Sequence, residues 1–333
     1  MLGGTVFLGR HVVETLLARG HEVTVFHRGK RGAELFPEIE RVLGDRTTDL
    51  ERLPADAAWD AVVDTCGFVP GVVATSAQAL RERAGRYVFI SSISVYDMSH
   101  PAIDESSPTL ELPPDAPRDV MTPETYGALK YLCEQEAVAA FGPDRTLIVR
   151  PGLIVGPHDP TDRFTYWPLR FARGGDVLVP DALEMPVQYV DVRDLAEFVV
   201  DALERGNTGV VNAVGPAAPT TLGALLDACA AASSSRANVV RVDRTFLRRW
   251  DTGPWIDLPV WSEDGFEYDG ITRTDTSRAI ALGLRYRPLE TTIADTLRWA
   301  RDERGDAPFK AGLTPAREAA LFVLAAHEGS RRS

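Results

Sequence analysis

Cysteine and lysine are both scarce in this chain, and each shortage narrows what it can be. Cys66, Cys133 and Cys229 are the three cysteines. They are odd in number and form no CxxC pair, so a reducing, cytoplasmic setting is expected and no metal site is read from them. No run approaches the roughly 18 apolar residues of a membrane-spanning helix, and the N-terminus has no charged-then-apolar leader. A membrane partner is therefore not expected. Lysine supplies only Lys30, Lys130 and Lys310 among 36 basic residues. The net charge of −12, with no Arg-rich run, argues against a nucleic-acid partner, because phosphate binding rests on clustered Lys and Arg.

What remains is an ordinary globular composition. At 333 residues, 44% hydrophobic and 25% charged, the chain suits one large or two fused domains. Short β-branched runs, Glu22-Val-Thr-Val-Phe26, Ala61-Val-Val-Asp64, Tyr87-Val-Phe-Ile90 and Thr146-Leu-Ile-Val149, read as buried strands. Helical patterns separate them, the first from Arg10 to Arg19, with Val12, Val13, Leu16 and Leu17 on one face and Gly20 as its stop. Such alternation predicts an α/β fold, a doubly wound parallel sheet of Rossmann type. Residues 1–150 form the dinucleotide-binding domain in this reading, and 151–327 mainly a smaller substrate-binding lobe. A later strand near 209–214 returns to the first domain, and 328–333 is a frayed tail.

Between Asp97 and Val120 lie five prolines and six acidic residues against one arginine. This long loop is either a lid or binding loop, or disordered.

Gly3-Gly-Thr-Val-Phe-Leu-Gly9 opens into the first helix. A glycine-rich turn before a helix N-terminus offers backbone N–H groups and a positive dipole end to a pyrophosphate. Gly3 permits the tight turn and Gly9 close helix–strand packing, but the middle position of GxxGxxG is Val6. Only Met1 and Leu2 precede the loop, where a central strand of about five residues belongs. An upstream natural start is therefore expected. After the second strand stand Phe26-His27-Arg28-Gly29-Lys30. A carboxylate there would bond the ribose 2′-OH of NAD, whereas Arg28 accommodates the 2′-phosphate of NADP. NADP is the preferred cofactor and NAD the alternative.

Tyr126-Gly-Ala-Leu-Lys130 places a phenol and an ammonium one helical turn apart on one face. A nearby ammonium favours phenolate, which makes Tyr126 a candidate proton donor and acceptor. An unremarkable Tyr and Lys on a half-exposed helix is the alternative.

Together these residues resemble the extended short-chain dehydrogenase/reductase superfamily, in its NAD(P)-dependent epimerase/dehydratase branch. The resemblance runs from Gly3 to about Arg301. Further landmarks are Phe89-Ile-Ser-Ser-Ile-Ser-Val-Tyr96, Val149-Arg-Pro-Gly-Leu-Ile-Val-Gly-Pro157, Tyr189-Val-Asp-Val-Arg-Asp194 and Asp275-Thr-Ser-Arg-Ala279 followed by Trp299. It implies Ser92 as hydrogen-bond donor to the substrate oxygen, Tyr126 as acid/base, and Lys130 on the nicotinamide ribose, lowering the phenol pKa. It further implies cofactor contacts from Gly3, Thr5, Val6, Phe7, Leu8, Gly9, Arg28, Asp45, Thr65, Cys66, Gly67 and Pro151. Ser94 would help orient substrate.

Two departures narrow the reaction. Sugar 4,6-dehydratases of the superfamily place Asp-Glu where this chain has Ile93 and Ser94, so that dehydration is not expected. Loss of the middle glycine resembles a less typical subset with GGTxFLG before a basic turn. The implied activity is hydride transfer at a secondary alcohol or carbonyl of a small sugar or secondary metabolite. A reductase, an NAD-retaining epimerase and a non-catalytic NADP-binding sensor all stay open. Tyr166, Trp167, Trp255 and Trp261 are either aromatic walls of a substrate site or core residues. His158 and Asp159 either contact substrate or sit in an exposed turn. Homodimers are common in this fold.

Overall fold

The computed structural model describes residues 1–263 and 269–331. Strands β1 (Thr24–His27), β2 (Glu40–Leu43), β3 (Trp59–Asp64), β4 (Ala84–Ile90) and β5 (Thr146–Pro151) form the first half of the chain. Helices α1 (Leu8–Ala18), α2 (Pro70–Leu80) and α3 (Tyr126–Phe141) lie between and beside them. Strands β1, β3, β4 and β5 correspond to the four β-branched runs and begin or end within a few residues of them, whereas β2 falls on none of them.

The slot of the missing strand is filled by two residues. Leu2 bridges Phe26 on one side and Asp64 on the other, both in parallel register. The Leu2 N–H donates to Val63 O at 2.9 Å, and the Phe26 N–H donates to Met1 O at 2.9 Å. This stub joins β1 to β3 and makes one sheet of what would otherwise be two.

The second half of the chain begins with β6 (Ile154–Val155), α4 (Tyr166–Arg173), β7 (Gly175–Pro180), β8 (Pro186–Val187) and β9 (Val190–Asp191). Helix α5 (Val192–Glu204), β10 (Gly209–Ala213), β11 (Thr220–Thr221), α6 (Leu222–Ala232) and β12 (Ala237–Val242) follow. Helices α7 (Arg244–Arg249), α8 (Ser277–Leu282), α9 (Leu289–Trp299) and α10 (Pro315–Arg331) complete it. Of the tail from 328, residues 332 and 333 lie outside the described residues.

Strand β10 pairs in parallel with β5, so the sheet runs β2–β1–stub–β3–β4–β5–β10, all parallel. This is the doubly wound order, and it reverses beside the stub. One face carries Val12, Val13 and Leu16 of α1 against Leu195, Phe198 and Val199 of α5. The other carries Val73, Ala77 and Leu80 of α2 against Cys133, Ala137 and Phe141 of α3. Burial on both faces explains why the strands read as continuous apolar runs. A separate core, built around Phe164, Trp167, Phe171, Leu225 and Trp261, holds the smaller lobe together.

The 97–120 loop is tied down in its first half. The Asp97 N–H donates to Pro108 O at 3.1 Å, and the Leu110 N–H to Val95 O at 2.7 Å. Glu105 accepts from the Asn212 backbone at 2.9 Å.

Candidate active site

A cleft of about 920 Å³ opens at the carboxyl ends of the strands, over the stub and β3. Ligands of open α/β sheets bind at this reversal point. Gly3, Thr5, Val6, Phe7, Leu8 and Gly9 line one part of it. Gly3 and Gly4 have φ of 90° and 101°, and a Cβ on Gly9 would stand 2.9 Å from the Gly4 nitrogen. Val6 needs no positive φ. The left-handed turn falls instead on Phe7, at 43°. Helix α1 has no side-chain cap and no acid in its first turn, so its N-terminus is free to receive an anion. The loop therefore suits a pyrophosphate without its middle glycine.

Arg28, Lys30 and Arg31 line the far end with Asp45. Hydrogen bonds from Thr47, then the charges of Arg28 and Lys30, hold the Asp45 carboxyl below its usual range. Thr65, Cys66 and Pro151 line the middle. Gly67 does not line the cleft; its carbonyl accepts from Lys130 Nζ at 2.7 Å.

At the other end the structure brings Ser92, Ser94, Tyr126 and Lys130 into the same cleft. Ser92 accepts from the Ser94 N–H at 3.1 Å and donates to Ser94 Oγ at 3.0 Å, and it lines the cleft with Tyr126, whose phenol pKa it lowers. Helix α3 can come this close because residue 127 is glycine. A Cβ there would collide with the Ser94 carbonyl.

Lys130 is 2% exposed and donates to Gly67 O and Ile90 O, each at 2.7 Å. It stands 4.3 Å from the Phe89 ring centre. Burial lowers its pKa to about 8. The expected lowering of the Tyr126 phenol by Lys130 is not what the structure gives. Burial raises that phenol, and the opposing influences are the Ser92 hydrogen bond and the charge of Arg163. Two carbonyls hold the ammonium, which explains its small effect on the phenol.

Two expected substrate contacts are corrected. Tyr166 and Trp167 are 0% exposed, and the Trp167 indole donates to Pro259 O at 2.7 Å. They face the core of the smaller lobe because α4 turns its apolar side inward, as does the chain at Trp261. Trp255 alone of the four aromatics lines the cleft. His158 lies beside a smaller cavity of about 380 Å³ behind the phosphate loop, wedged between His11 and Trp299. Burial and the Arg10 charge lower its pKa to about 4. Asp159 borders both cavities.

Sequence reading missed two buried networks. At the end of β3, Asp64 takes Arg46 at 2.8 and 2.7 Å and the Tyr87 hydroxyl at 2.7 Å. Behind the serine turn, Glu134 takes Arg150 at 2.9 and 2.5 Å and Ser91 Oγ at 2.5 Å. Arg150 reaches on to the Tyr96 hydroxyl at 2.6 Å. A carboxylate inside an apolar strand or helix face was the available signal, since a buried charge demands a partner.

The geometry has counterparts. An epimerase family protein (SDR39U1) of Bos taurus is 26% identical over 66% of this chain and 74% of its own length. The sterol-4-alpha-carboxylate 3-dehydrogenase (decarboxylating) of Bos taurus is 30% identical over 48% of this chain, which spans only 47% of that protein. The Bordetella bronchiseptica enzyme WbmH, solved with NAD+, superposes with a TM-score of 0.64 at 20% identity, covering 91% of this chain and 98% of that one. Residues 1–215 match the family model described as the NAD dependent epimerase/dehydratase family. With a doubly wound sheet, a glycine-rich anion loop and a Ser–Tyr–Lys cluster in one cleft, the chain belongs to the NAD-dependent epimerase/dehydratase family.

Proposed function

We propose that this chain is an NAD(P)-dependent oxidoreductase acting at a secondary alcohol or carbonyl of a sugar or secondary metabolite. The carrying observation is that Ser92, Tyr126 and Lys130 line the same cleft as the glycine-rich loop. The cleft volume, near the top of the roughly 300–1,000 Å³ typical of ligand pockets, suits a dinucleotide plus a small substrate. When bound, a nicotinamide supplies or accepts the hydride. Ser92 and Tyr126 hold the reacting oxygen, and Tyr126 donates its proton to it in reduction or takes one in oxidation. With two donors fixed on carbonyls, Lys130 keeps one N–H for a ribose hydroxyl. Residues 1–150 with β10 serve the cofactor, and 151–327 mainly the substrate.

The basic turn supports NADP. No acid follows β1, and Arg28, Lys30 and Arg31 border the cleft there. Arg28→Glu is expected to lower NADPH affinity by about ten- to a hundredfold, the range of one charge-assisted hydrogen bond, and leave NADH binding less affected. A uniform loss of both cofactors would remove that assignment.

A retained-cofactor epimerase is the second reading, favoured by the family's name and by the NAD+ complex of WbmH. Absorbance and native mass spectrometry of the purified protein separate the two. Tightly held NAD indicates an epimerase, and an empty site selective for NADPH indicates a reductase. NADPH consumption against a carbonyl panel tests catalysis itself. Tyr126→Phe should lower the rate by about 10²–10⁴-fold, and unchanged turnover would overturn the acid/base assignment.

A further inference from the structure

The loop from His158 to Arg163 leaves a guanidinium in the cleft with no direct ion pair, its charge reaching the Asp159 carboxyl only at a distance. The interior arginines Arg46, Arg150 and Arg170 each hold a carboxylate, those of Asp64, Glu134 and Glu318. Arg163 is half-buried and lines the same cleft as Tyr126 and Ser92. Its Nε donates to Thr161 Oγ1 at 3.3 Å. Among the described residues, neither terminal amino group of its guanidinium has an acceptor, and no carboxylate stands within ion-pair distance.

That guanidinium is also aimed. Asp159, 2% exposed, accepts the Thr161 N–H at 2.8 Å and the Thr161 hydroxyl at 2.7 Å. Thr161 Oγ1 in turn accepts from the Arg163 N–H and Nε, at 3.4 and 3.3 Å. Non-glycine residues in the left-handed region stand just before this relay and within it, His158 at φ 68° and Asp162 at φ 61°. Arg304 clasps the Asp162 carboxylate at 2.9 and 3.1 Å, and the Lys310 N–H reaches it at 3.0 Å. Such strain, about 1–3 kcal/mol per residue, persists only where the surroundings hold it, and it gathers at ligand clamps. Arg163 lines the cleft with Ser92, Ser94 and Tyr126, and its charge is felt at the Tyr126 phenol.

A half-buried guanidinium with its fork unoccupied matches a planar or tetrahedral oxyanion. We propose that Arg163 is a specificity-determining residue that binds a carboxylate or phosphate ester carried by the substrate. This rests on the Tyr126-centred reading of the cleft for its location, but its test does not require turnover.

Calorimetric titration of the NADPH-loaded protein with D-glucose, D-glucuronate and D-glucose 6-phosphate decides it. One of the two anionic sugars is expected to bind about tenfold or more tighter than glucose, and which one distinguishes carboxylate from phosphate. Arg163→Met should abolish that preference, Arg163→Lys should keep part of it, and NADPH affinity should stay as in the wild type. Tyr126→Phe should keep the preference, so a failure of the oxidoreductase reading would leave this result standing. Equal binding of all three sugars by the wild type would overturn the proposal, as would a preference that survives Arg163→Met. A loss of NADPH affinity in Arg163→Met equal to the loss of sugar binding would assign the residue to the cofactor instead.

Discussion

The carbonyl oxygen of Ser94 occupies the space that a Cβ on Gly127 would need. Helix α3 therefore rests its first turn directly on the serine turn. The second residue of the Tyr126–Lys130 pentapeptide is what lets the helix that carries the phenol approach the serine turn.

Gly127→Ala tests this contact. The added methyl must push α3 away or displace the Ser92–Ser94 turn, and overpacking of this kind costs about 1–3 kcal/mol. A misplacement near 1 Å at reacting groups lowers rate by about a hundredfold. Turnover is expected to fall by about that factor, well beyond what the lowered melting temperature explains at assay temperature. Near-wild-type turnover would show that the close approach does not position Tyr126.

What could be read from residues alone followed spacing. Strands β1, β3, β4, β5 and β10, helix α1 and the Tyr126–Lys130 pair are short-range patterns, and each lies at or near the place its pattern marks. Long-range partners were not legible. Arg46 and Asp64 are 18 residues apart, and Glu134 and Arg150 are 16 apart, with nothing in either segment naming the other. Tyr166 and Trp167 were equally suited to a cleft wall and a core, because an aromatic ring does not tell which way its helix faces. Likewise Lys130 and Tyr126 share a helix face, yet the carbonyls that hold the ammonium come from Gly67 and Ile90, on other segments.

The Arg46–Asp64 pair underlies the cofactor-facing end of β3. Asp64 is 0% exposed, and Arg46 is the first cause holding its carboxyl below the usual range against the desolvation of burial. Arg46→Met strands that carboxylate, and breaking a buried pair on one side costs about 3–5 kcal/mol. Urea denaturation near neutral pH should show that loss. Because Asp64 has a depressed folded-state pKa, the wild-type advantage is present above the ordinary carboxylate range and fades as pH falls through the folded value. Adding Asp64→Asn to Arg46→Met removes the stranded charge and should recover part of the stability. A double variant as unstable as Arg46→Met alone would refute the charge-based account.

Lys130 gives a pH trend of the same sign in an alkaline window. Burial lowers its pKa from the ordinary 10.5 to about 8 in the folded chain. Between those values the unfolded chain binds a proton that the folded chain does not, so stability rises with pH across the window. Below it both states carry the charge, and the full desolvation penalty is present and constant. Lys130→Met abolishes this titration. The wild-type unfolding free energy, taken relative to the variant at each pH, should therefore climb by about 3 kcal/mol from the bottom of the window to its top. Taking the difference cancels the groups not coupled to Lys130, and adding Cys66→Ala and Cys133→Ala to both proteins removes the two thiols that are. The variant should also lose turnover and weaken cofactor binding, since it removes the N–H reserved for the ribose. A flat difference across the window would mean that the two carbonyls, with the Phe89 and Phe68 rings, compensate the buried charge fully. Lys130 would then be an ordinary cation at rest and not one held in readiness for a ligand.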